Sequence, residues 1–208
     1  MIYQEPILKR LLDVFLSTLM LGMAFPVILP ISALIKLEDG GPVLYRQTRW
    51  GRKGKRFGVF KFRTMMPDAE RKFGIIQARE NDDRITRVGR FLRAMGLDEL
   101  PQILNILMGD MSFVGPRSLA VNEVLSSDTN NSRVTYEQIR GFRDRLEARP
   151  GLTGLATVYI PKDSSPRRKF KYDLLYLRKH SLCLDVHLIA LSFWISFRGR
   201  WETRRKKF

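Results

Sequence analysis

The sequence predicts an α+β protein, mostly helical, held at a membrane by its N-terminal segment. Three observations carry that prediction. An apolar run from Leu11 to Ile35 is broken only by Asp13 and a few small polar residues. It is long enough to be membrane-embedded, since a bilayer core takes ~20 residues. Beyond it, apolar residues recur mostly at helical spacing, with two short alternating stretches that read as strands. The chain of 208 residues has room for one compact domain and little more. The division is therefore a membrane segment over residues 1–36 and a membrane-face domain over 37–208.

The membrane run contains Pro26 and Pro30, about one helical turn apart. Each proline removes a backbone donor and crowds the preceding turn, so the helix should bend or break there. Positive residues flank both ends. Lys9 and Arg10 come before the run, and Lys36, Arg46, Arg49, Arg52, Lys53, Lys55 and Arg56 follow it. Positive flanks favour the cytoplasmic side. On charge and prolines alone, a kinked spanning helix and a re-entrant helix-break-helix stand equally open. A cleavable signal peptide is a poor match, because the run is too long and no small-residue cleavage site follows.

Val43-Leu44-Tyr45 and Phe57 to Phe62 predict a short hairpin across the basic turn Gly51–Lys55. Residues 64–80 read as helical. Ile85 to Met95 forms a basic amphipathic helix ended by Gly96, with Val88, Phe91, Leu92 and Met95 on one face. A second helix is expected to start at once, capped by Asp98, with Glu99 and Pro101 in its first turn and Gly109 as its stop. Residues 126–132 make a polar loop. A charged helix is expected from about Val134 to Ala148, then a loop at 161–168 and a helix from Lys169 to Arg178. The apolar part of the last segment, Leu188 to Phe197, is too short to span. Its Phe193, Trp194, Phe197 and Trp201 precede Arg204 to Lys207, which suits an amphipathic helix at the lipid headgroups. An ordinary docking helix with a solvated tail is the alternative.

The net charge of +16 points to a polyanionic partner: nucleic acid, an anionic membrane surface or phosphorylated substrates. The single cysteine, Cys183, cannot form an internal disulfide and fits a reducing compartment. His180 and His187 lack zinc-site spacing. There is no Walker A sequence, no G-x-G-x-x-G and no G-x-S-x-G. What remains is Asp98-Glu99, preceded by Arg84, Arg87, Arg90 and Arg93. Paired carboxylates can hold Mg²⁺, one of them can attack phosphorus, and arginines or lysines can hold phosphate oxygens. Taken alone, the dipeptide is more simply a helix start.

The surroundings change that reading. Leu97-Asp98-Glu99-Leu100-Pro101-Gln102, Asn105 and Gly109-Asp110-Met111-Ser112-Phe113-Val114-Gly115-Pro116-Arg117 closely resemble the core of the polyprenyl-phosphate phosphoglycosyl transferases, the bacterial sugar transferases. Lys9-Arg10 with Asp13, Gly41-Pro42-Val43, Gln47-x-Arg49-x-Gly51, Lys61 to Met65, Arg149 to Ala156 and Tyr172-Asp173 through Asp185 match further blocks in order, so the resemblance covers about residues 7–195. It implies a small monotopic enzyme with a re-entrant helix in one leaflet and a catalytic domain at the cytoplasmic face of the bacterial inner membrane. It implies that Asp98 attacks the sugar-bearing phosphate of a UDP-sugar, that UMP leaves, and that the sugar phosphate passes to polyprenyl phosphate. Glu99 would join Asp98 at a Mg²⁺ site, and Lys61, Arg93 and Arg117 would bind phosphate.

The chain departs from the family pattern at several points. Phe25-Pro26 stands where Ser-Pro is common, Pro116-Arg117-Ser118 replaces Pro-Arg-Pro, and Tyr159 to Asp163 replaces a Gly-Arg-Asn element. None of these removes Asp98, Glu99 or Lys61. A membrane-anchored nucleic-acid binder lacks a recognisable binding motif, so nucleic acid is not expected as a partner. An aspartyl phosphatase would place its aspartate after a strand. A non-catalytic membrane adaptor of a polysaccharide machine is the alternative, and a homodimer is compatible with either reading. The short N-terminus and the lack of further hydrophobic segments read as the minimal catalytic form.

Overall fold

A computed structural model of the chain describes residues 3–67, 69, 82–121, 123–126, 133–161 and 164–198. The helix expected over 64–80, the loop at 126–132 and the basic tail lie largely outside them.

Helix α1 covers Ile7–Asp39, with Pro26 and Pro30 inside one continuous element. The expected separation into two helices is therefore not seen. Each proline forfeits one backbone bond, and Ser32 Oγ donates to the Ile28 carbonyl at 2.7 Å within that stretch. Lys9, Asp13, Ser17, Ala24, Ile31 and Ile35 are buried along one stripe. The other faces expose Leu11, Phe15, Leu19, Met23, Phe25, Leu29 and Leu34. Among the described residues α1 is the one helix long and apolar enough to cross a membrane, and it fits membrane association.

Both ends of α1 are fastened to the same domain. Lys9 pairs with Asp185 at 2.8 Å, and Arg10 donates to the carbonyls of Ile106 and Leu107 at 2.6 and 2.9 Å. Asp13 accepts from the Phe113 amide and the Ser112 hydroxyl at 3.0 and 3.1 Å. At the far end Asp39 pairs with Arg63, and Glu38 accepts from the Arg87 amide at 2.7 Å.

Strands β1 (Leu44–Trp50) and β2 (Arg56–Phe62) form the expected antiparallel hairpin, with Leu44 opposite Phe62 and Trp50 opposite Arg56. The helix expected over Ile85 to Met95 is α2, Arg87–Met95; Gly96 closes it as expected, and Thr86 caps its start. A 3₁₀ turn over Leu97–Glu99 follows, and helix α3 is Gln102–Met108. Asp98 thus lies inside a turn and does not cap α3. Pro101 has no N–H to give the Leu97 carbonyl, which instead accepts from the Leu100 amide at 3.1 Å in a 3₁₀ turn.

Strand β3 (Ser112–Val114) pairs in parallel with β7 (Gly151–Thr153), and β4 (Leu119–Ala120) adds to the free edge of β1. The expected helix over 134–148 is corrected. Strands β5 (Val124–Ser126) and β6 (Arg133–Thr135) pair antiparallel, a 3₁₀ turn spans Tyr136–Gln138, and the short α4 covers Phe142–Arg145 only. Gly141, at φ 91°, breaks any helix that would join them. Helices α5 (Leu155–Tyr159), α6 (Pro166–Lys179) and α7 (Leu182–Phe197) complete the chain. Helix α6 places Pro166 in its first turn, and Ser181 caps α7 by accepting from the Leu184 amide. Exposed Val186, Phe193, Trp194 and Phe197 keep α7 compatible with a lipid interface.

The main core joins β2, α3, β3, α5, α6 and α7 through Val59, Ile106, Phe113, Val158, Tyr176 and Leu188. A second cluster sets Ile31 and Ile35 of α1 on Phe62 and Leu92. Asn105 is wholly buried between them. Its Nδ2 donates to the Gly58 carbonyl at 2.9 Å, and its Oδ1 accepts from the Phe60 amide at 3.0 Å. A side chain thus completes the edge of β2 that no strand covers. Asn105→Leu strands both backbone groups, and thermal melts should show a loss of about 2–6 kcal/mol, about 1–3 per orphaned group.

Candidate active site

The turn after α2 sets two carboxylates side by side at the foot of the hairpin. Lys61, next to last in β2, reaches Glu99 Oε1 with its Nζ at 2.6 Å. Arg117, in the loop after β3, reaches the same oxygen with Nη2 at 3.2 Å. The shallow cleft around them is lined by Arg49, Lys61, Glu99, Gln102, Arg117, Ser118, Gly151 and Leu152. Arg49 of β1 is held in place by the Ser118 carbonyl at 2.6 Å and by Gln47. Gly151 forms part of the wall because nothing larger fits. A Cβ there would sit 2.1 Å from the Gly115 backbone nitrogen.

The two carboxyls differ in electrostatics. Burial raises Glu99, but Lys61 and Arg117 outweigh it and hold the group well below the ordinary carboxylate range. Asp98 is pushed above that range, first by burial and then by the Glu99 charge, with Lys61 and Arg93 pulling the other way. Glu99 is thus a fixed anion clamped by two cations. Asp98 is the more basic and better nucleophile. Adjacent hard oxygen donors of this kind suit Mg²⁺, which binds through one or two carboxylates and completes its shell with phosphate and water. The described residues hold no group of three metal-binding side chains, and a Mg²⁺ ion here would be held by Asp98 and Glu99.

Four of the five candidate residues converge: Asp98, Glu99, Lys61 and Arg117. Arg93 stands apart from the cleft lining. Its charge acts on Asp98, and its side chain has no ion pair among the described residues. Arg49 and Gln102 line the cleft, yet the sequence reading gave neither a role. The only sequence signal for them was their place within matched blocks. Behind Arg117, Arg145 Nη2 donates to the Arg117 carbonyl at 2.7 Å, and Arg145 is buried against Asp173. No spacing in the sequence connects those three.

The family model for bacterial sugar transferases matches residues 4–199. The chain belongs to the bacterial sugar transferase family. This family member is 39% identical over 196 residues to the UDP-glucose:undecaprenyl-phosphate glucose-1-phosphate transferase of Klebsiella pneumoniae, covering 92% of this chain and 40% of that protein. It is 39% identical over 189 residues to the exopolysaccharide production protein PSS of Rhizobium leguminosarum bv. phaseoli, covering 88% of this chain and 92% of that one. A third relative, the UDP-N-acetylgalactosamine-undecaprenyl-phosphate N-acetylgalactosaminephosphotransferase of Aeromonas hydrophila, is 35% identical over 185 residues, covering 88% of this chain and 42% of that protein. This sugar transferase therefore spans about two fifths of the length of the Klebsiella and Aeromonas proteins and nearly all of the Rhizobium one.

Proposed function

We propose that the chain transfers a sugar 1-phosphate from a UDP-sugar to undecaprenyl or a similar polyprenyl phosphate, an early membrane step in exopolysaccharide, O-antigen or glycoprotein glycan assembly. The observation that carries the reading is the asymmetric pair: a buried, basic Asp98 beside a Glu99 clamped by Lys61 and Arg117. In the first step an Asp98 oxygen attacks the sugar-bearing phosphorus. The bond from that phosphorus to the bridging oxygen breaks, and UMP leaves with the electron pair. In the second step a phosphate oxygen of the lipid attacks the same phosphorus, the acyl-phosphate bond breaks and Asp98 is regenerated. Lys61 and Arg117, with Arg49 beside them, would hold phosphate oxygens, and Arg93 would add positive potential near Asp98. Mg²⁺ held by Asp98 and Glu99 would shield phosphate charge when bound.

The lipid acceptor requires a site at the membrane. In this reading the continuous α1, bent at Pro26 and Pro30, dips into one leaflet at the cytoplasmic face of the inner membrane and keeps both its ends on that face. Support comes from its anchors: Lys9 and Arg10 at one end, and Glu38 and Asp39 at the other, all bind the same domain. A helix that crossed fully would separate those ends by the bilayer's ~30 Å core. Exposed aromatics on α7 would rest at the headgroups.

The test is UMP release by lipid-reconstituted protein from a panel of UDP-sugars, with Mg²⁺ or EDTA, with and without polyprenyl phosphate. The expected result is turnover with at least one sugar that requires the lipid phosphate and stops in EDTA. Folded protein that releases no UMP from any sugar points to the non-catalytic adaptor.

A further inference from the structure

Gln102 opens α3, one turn after Asp98. Leu100 and Pro101 keep right-handed helical backbone, so the turn over Leu97–Glu99 runs on into α3. Residues four apart along such a path share a face. Gln102 therefore lies one turn on from both Asp98 and Glu99, and it lines the cleft with Glu99. Its side chain is buried, 3% exposed, yet lines the same cleft as Lys61, Glu99 and Arg117.

Of the cleft-lining side chains, Gln102 alone has a buried donor with no acceptor among the described residues: its Nε2. The charged donors nearby are engaged. Lys61 and Arg117 hold Glu99, and Arg49 holds Ser118 and Gln47. Gln102 does not cap its own helix either. A buried donor without an acceptor costs about 1–3 kcal/mol. An apolar side chain of the same length would fill the space without that cost. The position makes sense if the acceptor is something that enters the cleft beside Asp98.

We propose that the Gln102 carboxamide donates to a non-bridging oxygen of the phosphoryl group while that group is bonded, or becoming bonded, to Asp98; this rests on the transfer reaction proposed above. The two cations face Glu99 and suit the resting charge of the substrate. In this proposal the buried Gln102 donor, in the cleft one turn from Asp98, meets the phosphoryl oxygen when phosphorus comes within bonding range of Asp98. A contact made in the transition state and absent from the ground state lowers the barrier without tightening substrate binding. Both displacements occur at the same phosphorus, so one donor serves both half-reactions. A neutral amide also leaves the charge balance of the Asp98–Glu99 pair untouched, which another cation would not.

The experiment compares wild type with Gln102→Met and Gln102→Glu in lipid with Mg²⁺, using whichever UDP-sugar the wild type turns over. Methionine keeps the length and fills the space. Glutamate keeps the shape but offers an acceptor where a donor is needed. Steady-state UMP release, single-turnover labelling of Asp98 without lipid, discharge on adding polyprenyl phosphate, and thermal melts are all recorded. Gln102→Met should melt at or above the wild-type temperature. Its kcat should fall about 100- to 1,000-fold, the usual effect of losing one preorganised donor, with KM for the UDP-sugar within about threefold. Labelling and discharge should slow together, and Gln102→Glu should be at least as impaired. The inference is overturned by a stable Gln102→Met protein with near-wild-type kcat, or by one whose KM rises while kcat holds. Loss of activity that follows a collapse in melting temperature also overturns it, because packing then explains the residue. If wild type itself releases no UMP, the transfer reaction fails and this inference falls with it.

Discussion

Asp98→Asn should leave a well-folded protein whose UMP release falls by about 10³-fold or more, the scale seen when an essential nucleophile is removed. Asparagine has the same shape, so the turn over Leu97–Glu99 and the clamp on Glu99 survive. It has no anionic oxygen to attack phosphorus. The folded state already raises the Asp98 carboxyl, first through burial and then through Glu99. A group raised in the fold adds stability only below its unfolded pKa and loses it as pH rises through the folded value. At neutral pH its ionisation therefore works against the fold. The neutral variant should melt at the wild-type temperature or slightly higher, while activity disappears. Intact-protein mass spectrometry makes the chemical test. Without lipid acceptor, wild type should gain the mass of one sugar phosphate, removable by hydroxylamine, and Asp98→Asn should gain none. Glu99→Gln should still accept the label slowly, since Glu99 organises the cations and does not bond to phosphorus. Label retained by Asp98→Asn and lost from Glu99→Gln would reverse the two assignments.

Asp98 stood out as the candidate nucleophile because of the blocks around it, since the dipeptide alone reads as a helix start. The hairpin was legible because alternation on both sides of a Gly-Lys turn leaves few other structures. Helix α2 showed in its period and its closing Gly96, whereas α6 was expected only from Lys169 and in fact starts at Pro166, inside the stretch read as a loop. Other features depend on contacts far apart in the chain. Strands β3 and β7 have three residues each, too few for an alternating pattern, and they exist because the 112–114 and 151–153 backbones meet in parallel. The stretch from 134 was misread because its charged residues mimic a solvated helix, while β-branched Val134 and Thr135 and the break at Gly141 decide otherwise. Asn105 and Gln102 looked like ordinary helix polar residues. Only the fold shows that one finishes a sheet edge and the other is buried in the cleft beside Glu99. In α1 the burial of Lys9, Asp13 and Ser17 at intervals of four appears only once the domain packs on that stripe.

The largest stability effect should come from a pair that no sequence spacing connects. Arg145 of α4 donates through Nε and Nη2 to Asp173 Oδ2 at 3.1 and 2.7 Å, lies over the Phe170 ring, and holds the Arg117 carbonyl. Both side chains are almost wholly buried. Asp173→Asn leaves the guanidinium without its counter-charge in a place water barely reaches. An arginine cannot shed its proton to escape. The expected loss is about 3–5 kcal/mol, a melting shift of roughly 10 °C for a chain of this size. Removing the other partner should cost less. Burial pushes the Asp173 carboxyl above its ordinary value even with Arg145 beside it, so in Arg145→Met the aspartate can take up a proton instead. A carboxyl raised in the fold contributes its stability below the unfolded pKa and loses it as pH rises through the folded one. Melts of Arg145→Met should therefore improve toward wild type as pH falls from 7 to 5, and those of Asp173→Asn should not. Replacing both residues, Arg145→Met with Asp173→Leu, removes the stranded charge and should recover most of the stability. UMP release should stay low in that double variant, because the Arg117 carbonyl has lost the donor that fixes its loop beside Glu99. Equal losses from the two single changes, with no pH dependence, would mean that the pair merely fills space. Full activity in a stable double variant would show that Arg117 keeps its place without Arg145.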